Sequence, residues 1–196
     1  MKRYRLPVAL LFVAWAALAM CGESYVLRYQ RQPGERGSSP DHWPRASGLQ
    51  MGKELTLVMF LHPHCPCSKA SITQLEKVMK AGGGAITAWV VFTKPVGAEP
   101  GWEQSELGKS AESIPDVLLY VDDVAVETRL FGPVTSGHVL VYDPAGRLVF
   151  SGGLTPGRGE AGASASVDRL LQAVQGGAEQ SVQTPVLGCP LLDAIP

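Results

Sequence analysis

Leu55-Thr56-Leu57-Val58-Met59-Phe60-Leu61-His62-Pro63-His64-Cys65-Pro66-Cys67-Ser68 is the stretch that decides the fold. The apolar run Leu55 to Leu61 lacks a two-residue alternation, as a central strand covered on both faces should. It stops abruptly at two histidines and two cysteines. Beyond them Ile72, Leu75 and Met79 fall at i, i+3 and i+7, one stripe of an amphipathic helix. Glu76 and Lys80 sit at i, i+4 on its outer side, and Gly82-Gly83-Gly84 ends it. A buried strand running into paired thiols at the mouth of a helix is an arrangement that makes cysteine reactive.

Downstream, Ala85 to Phe92 reads as a second buried strand, and Lys94 to Gly101 as a loop. Trp102 to Ser113 is a mostly polar helix, and Val117 to Val121 a third strand closed by Asp122-Asp123. A short amphipathic segment, Val124 to Phe131, leads to Gly132-Pro133. Val139 to Tyr142 and Arg147 to Phe150 flank Asp143-Pro144-Ala145-Gly146. Pro second and Gly fourth make that a type I turn, hence an antiparallel hairpin. Val167, Leu170, Leu171 and Val174 define a last amphipathic helix, ended by Gly176-Gly177. This order is that of an α/β domain: right-handed crossovers place helices on both faces of one central mixed β-sheet. There is no internal repeat.

At the N-terminus Lys2, Arg3 and Arg5 precede an apolar run from Leu6 to Cys21, which Tyr25, Val26 and Leu27 extend past Glu23. This is the pattern of an export signal or a membrane helix. Ala17-Leu18-Ala19 is a poor cleavage site, which favours an uncleaved anchor with its basic end in the cytoplasm. A cleaved signal, or a lipoprotein signal at Leu18-Ala19-Met20-Cys21, are the alternatives. All three place the remainder outside the cytoplasm, where disulfides persist. The chain divides into a transmembrane helix (1–28), a Pro/Gly/Ser-rich linker or loosely docked arm (29–52) that Trp43-Pro44 anchors, the α/β domain (53–177) and a tail (178–196). That tail is apolar from Pro185 to Leu192. The composition of 196 residues, 45% apolar and 18% charged, with a net charge of −1, is that of a globular domain carrying a more hydrophobic segment. It offers no basic face for nucleic acid.

Four cysteines are too few for a disulfide-stapled miniature fold, and the C-x-C pair reads as a redox or metal pair. If the helix starts at Pro66, a residue preorganised for the first helical position, Cys65 is its N-cap. Its sulfur then faces unpaired N–H groups and the positive end of the helix dipole, and a protonated His64 adds to that field. Cys65 is therefore the expected nucleophile and Cys67 the resolving thiol. One intervening residue closes a tighter ring than two, which favours a labile disulfide. An inert local disulfide is the bland reading. The competing chemistry is metal: His62, His64, Cys65 and Cys67 are soft and borderline donors suited to Cu(I), whereas a structural zinc site lacks its second ligand pair.

From Leu55 to Phe150 the chain resembles the thioredoxin-like superfamily, in particular its exported peroxiredoxin-like and TlpA/ResA-like thiol–disulfide oxidoreductases. The residues that carry the likeness are Val58-Met59-Phe60 leading into the cysteines, Phe131-Gly132 ahead of a strand, and Val139 to Phe150 as strand–turn–strand. The C-x-C site, Thr135-Ser136-Gly137, Ser151-Gly152-Gly153 and Gly188-Cys189-Pro190 are most similar to RedB-like membrane-anchored proteins. The resemblance implies a three-layer sandwich, with Cys65 and Cys67 as the redox pair and no cofactor. The family's cis-proline facing the disulfide falls at Gly137 here, so Ser136, Gly137 and His138 would line a differently built substrate-facing loop.

Several residues carry two readings. His138 approaches the thiols or is an ordinary strand-edge histidine. Cys189 is a third redox thiol, a metal ligand or a small buried apolar residue. Arg158 in the Gly-rich stretch 151–162 cradles an anion or belongs to a surface loop. Trp89 and Trp102 are core or rim aromatics, and Asp122-Asp123 starts a turn. The function expected is thiol–disulfide exchange with protein or small-molecule thiols by a domain in the periplasm or cell exterior, anchored in the cytoplasmic membrane. A copper metallochaperone using the same cysteines and histidines is the alternative.

Overall fold

Leu55–Leu61 forms strand β1, and every residue after Leu55 is buried. The other strands are β2 (Ile86–Thr93), β3 (Val117–Asp122), β4 (His138–Tyr142), β5 (Leu148–Gly153) and β6 (Val182–Gln183). The computed structural model describes residues 5–35, 37–94, 97–99, 101–102, 104–176 and 180–191. Among them the sheet has six strands in the order β3-β2-β1-β4-β5-β6. β1 runs parallel to β2 and antiparallel to β4, so it sits where the sheet changes from parallel to antiparallel.

Both faces of β1 are covered, which is why its sequence does not alternate. Leu57, Met59 and Leu61 join a core with Ile72, Leu75 and Val78 of helix α2 (Pro66–Gly82). Ala111 of α3 (Glu106–Glu112) and Val167 and Leu170 of α5 (Ala165–Gly176) complete that layer. On the opposite face Val58 and Phe60 pack with Leu140, Tyr142 and Phe131 of α4 (Val126–Phe131). The expected central mixed sheet with helices on both faces is therefore present. The expected hairpin joins β4 to β5: the Gly146 N–H donates to the Asp143 carbonyl at 2.8 Å, and Gly146 adopts φ +77°.

The segment before β1, whose composition reads as a linker or loose arm, is packed on that second face. Trp43 lies edge-on to Phe131 and Tyr142 with ring centroids 5.1 and 5.3 Å away. Its N–H donates to the Gly146 carbonyl, and the Leu148 N–H donates to the Asp41 carbonyl, both at 2.8 Å. Glu127 accepts from the Ser47 hydroxyl and the Gly48 N–H, both at 2.7 Å. The tail also docks: β6 extends the sheet beyond β5, and Val186 and Leu191 are buried. Main-chain pairing of this kind has no side-chain signature, so composition alone does not reveal it.

The chain separates into two units, Met1–Gln32 and Pro33–Pro196. The first contains α1 (Arg5–Arg31), 27 residues long. At about 1.5 Å per residue such a helix outspans a hydrocarbon core of about 30 Å. It is long and apolar enough to cross a membrane by length and composition. Lys2, Arg3, Gly177 and Leu192, singled out in the sequence, lie outside the described residues.

Phe131 is fully buried between Phe60, Trp43 and Tyr142. Phe131→Ala should therefore lower the unfolding free energy by about 3–5 kcal/mol, measured by urea denaturation of the full-length protein in detergent.

Candidate active site

The end of β1 and the start of α2 meet as the sequence suggests. Cys65 is the N-cap of α2, with φ −83° and ψ 122°, and Pro66 is its first residue. The Cys65 sulfur, however, caps no backbone N–H. It points instead at the Cys189 sulfur, 3.5 Å away. Cys67 lies in the first turn, and the three sulfurs all fall within 4.8 Å of one another. All three cysteines are free thiols and half-buried. A shallow groove of about 440 Å³, lined by His64, Cys65, Lys69, Leu107 and Ser110, opens beside Cys65.

Short polar contacts hold this corner. The Cys65 N–H donates to the His62 carbonyl at 3.1 Å, closing a tight turn. Ser68, buried on α2, donates its hydroxyl to the same carbonyl at 2.9 Å. The Ser136 hydroxyl accepts from the His62 N–H at 3.1 Å and lies 3.3 Å from that of Ser68. Ser136 thus ties the expected substrate-facing loop to the cysteine turn. The next residue, Gly137, donates its N–H to the Phe60 carbonyl at 2.8 Å with φ +89°. A Cβ there would sit 3.0 Å from the Ser71 hydroxyl, so two conditions favour glycine.

The same loop carries the tail. Ser136 N–H donates to the Cys189 carbonyl at 2.8 Å, and Leu191 N–H to the Val134 carbonyl at 2.9 Å. Gly188 presses against the Ser136 carbonyl, where any Cβ would collide. Cys189 is therefore held beside Cys65 by backbone pairing. Reading it as a small buried residue underrates it; Gly188-Cys189-Pro190 inside an apolar tail is the signal that points to it.

The histidines divide. His62 and His64 lie edge-on to the Trp102 ring, with centroids 5.1 and 5.3 Å away. His64 Nε2 is also 2.7 Å from the Trp102 carbonyl oxygen, and the His64 N–H donates to His62 Nδ1. Trp102, of the two readings core or rim, is a half-buried rim aromatic that walls the histidine side of the site. His138 pairs across strands with Phe60 and shares its face. Its Nε2 is 2.9 Å from the Ser151 hydroxyl, so the ring engages β5.

Crowding sets the electrostatics. Burial, and then the charges of Cys65 and Cys189, push the Cys67 thiol up to about 12. Cys189 is also raised, by burial first and then by Cys65, while a hydrogen bond from Cys67 and the charge of Arg158 pull it down. Two thiolates so close repel, so at neutral pH Cys67 stays protonated and donates to its neighbours.

No family model matches the chain, and no curated protein matches it. Solved structures do. A hypothetical protein from Sinorhizobium meliloti 1021 superposes with TM-score 0.64 at 17% identity, over 82% of this chain and 100% of that one. An uncharacterized conserved protein from Geobacillus kaustophilus gives 0.61 at 14%, over 85% and 94%. A thioredoxin-like protein in its oxidised form gives 0.45 at 18%, over 76% and 97%. The mixed sheet, the central strand ending at a cysteine pair and the helix that begins there are the three-layer architecture expected from the sequence.

The crowding of Cys67 is testable. Its alkylation by iodoacetamide should have a pH midpoint well above the about 8.5 of a free thiol. Replacing Cys65 and Cys189 by serine removes the neighbouring charges and should move that midpoint down, read by mass spectrometry of the Cys67 peptide.

Proposed function

We propose that the chain is an exported thiol–disulfide oxidoreductase working at Cys65-Pro66-Cys67. In this reading α1 is a single-pass anchor in the cytoplasmic membrane, and the redox domain, residues 53–177 together with the docked segment before β1 and the tail, faces the periplasm or cell exterior. The observation that carries the reading is the placement of Cys65 at a helix N-terminus beside an open groove, with a second thiol in the next turn. A helix N-terminus favours the thiolate over the thiol.

Cys65 thiolate attacks one sulfur of a substrate disulfide, forming a mixed disulfide and releasing the other sulfur as a thiolate. Cys67 loses its proton and attacks the Cys65 sulfur, expelling the second substrate thiolate. The protein dithiol is oxidised and the substrate disulfide reduced; run backwards, the same steps oxidise a substrate. Partners are protein thiols and disulfides or small thiols. Ser136, Gly137 and the His62–His64–Trp102 cluster border the site and tune it, while His138 supports the loop from the sheet side.

Copper handling is a second reading, supported by three sulfurs within 4.8 Å. Soft thiolates suit Cu(I), and Cys65, Cys67 and Cys189 would hold it rather than the histidines, which are engaged around Trp102.

Full-length protein in detergent should catalyse reduction of a small disulfide in the presence of excess dithiol. Cys65→Ser should lower turnover by more than about 100-fold, as loss of an essential nucleophile does. An unchanged rate overturns the exchange reading, and copper that survives chelation in anaerobically reduced protein but is lost in Cys67→Ser supports the second.

A further inference from the structure

Cys189 is brought to the site from more than a hundred residues away, and its position is built rather than incidental. Backbone hydrogen bonds at its own carbonyl and at the Leu191 N–H join the tail to residues 134–136, an antiparallel bridge pairs Thr135 with Pro190, and Gly188 makes the close approach possible. The same Ser136 whose N–H holds the Cys189 carbonyl holds the His62 N–H through its hydroxyl. The Cys65 turn and the tail are thus fixed to one residue. Between them the two sulfurs are 3.5 Å apart, already in contact.

Cys65 therefore has two candidate partners, and they differ in ring size. A Cys65–Cys67 disulfide closes a ring across a single proline. A Cys65–Cys189 disulfide joins segments 124 positions apart and is free of that ring constraint. We infer that Cys189 is a resolving thiol for Cys65, and that the Cys65–Cys189 disulfide is the resting oxidised form of the site, locking the tail onto the start of α2. This rests on the exchange reading and adds a residue to it.

The step balances as follows with oxidised glutathione as substrate. Cys65 thiolate attacks one glutathione sulfur; the Cys65–glutathione bond forms, the glutathione disulfide bond breaks, and one glutathione thiolate leaves. Cys189 gives its proton to solvent, and its thiolate attacks the Cys65 sulfur. The Cys65–Cys189 bond forms, the mixed disulfide breaks, and the second glutathione leaves as thiolate and takes up a proton. Two protein thiols are oxidised to one disulfide, and one glutathione disulfide is reduced to two thiols.

The test uses full-length protein in detergent, with Cys21→Ser in every variant so that the site supplies the only thiols. Reduced protein is mixed with oxidised glutathione, quenched with N-ethylmaleimide and mapped as peptides by mass spectrometry. In Cys67→Ser the glutathione adduct on Cys65 should disappear at least tenfold faster than in Cys67→Ser/Cys189→Ser, with a Cys65–Cys189 linked peptide taking its place. The protein retaining all three thiols should yield the same linked peptide. An adduct equally persistent in the single and double variants, with no Cys65–Cys189 peptide from either protein that retains Cys189, overturns the role of Cys189 and leaves Cys65 as nucleophile. Failure of the double variant to form any adduct on Cys65 overturns the exchange reading, and this inference with it.

Discussion

Burial of β1 on both faces is the constraint from which the rest of the domain follows. Leu57, Val58, Met59, Phe60 and Leu61 are each fully buried. At about 1.5–3 kcal/mol per large apolar side chain, no arrangement that leaves one face in water competes. The strand must therefore sit inside a sheet with a layer above and a layer below. Helices α2, α3 and α5 supply one layer, and α4 with the docked 40–49 segment supplies the other. Because the strand is central, its C-terminal end cannot continue and must turn sharply, at His62 to Cys65, into the helix that covers it.

That turn is where packing becomes chemistry. A cysteine at the first corner after a buried strand is held by main chain on one side and exposed to a groove on the other. The site is assembled largely through backbone groups. His62, Gly137, Cys189 and Leu191 each contribute a main-chain donor or acceptor, and the Ser136 and Ser68 hydroxyls fill the remaining positions. Such a network is indifferent to most side chains but sensitive to where glycine stands, which is why Gly137 and Gly188 matter more than their size suggests.

Three half-buried thiols within 4.8 Å of one another do not ionise independently, since each thiolate raises the cost of the next. This repulsion gives the three thiols unequal tendencies to ionise. Cys67 is held protonated by burial and its neighbours, while Cys189 is pulled both ways, upward by burial and Cys65 and downward by Arg158. Arg158 lies in the loop between β5 and α5, as its loop reading has it, and its charge is the smallest of the influences on the tail thiol.

By itself the sequence determined the elements built from side-chain pattern: β1, the stripe of α2 with Pro66 at its start, the β4–β5 hairpin, and the pairing of Cys65 with Cys67 at a strand–helix junction. Local rules govern each of these, from periodicity to the fixed φ of proline, so one chain suffices to read them. Tertiary structure alone decided what comes together from far apart. The 40–49 segment and the tail dock through backbone hydrogen bonds, which any residue but proline can donate, so their polar, glycine-rich composition conceals them. Trp102 reaches His62 and His64 across a loop, and His138 turns to Ser151 because strand register assigns it the face of Phe60. Cys189 lies 124 positions from Cys65, and only the pairing of its tail with residues 134–136 makes the two sulfurs neighbours.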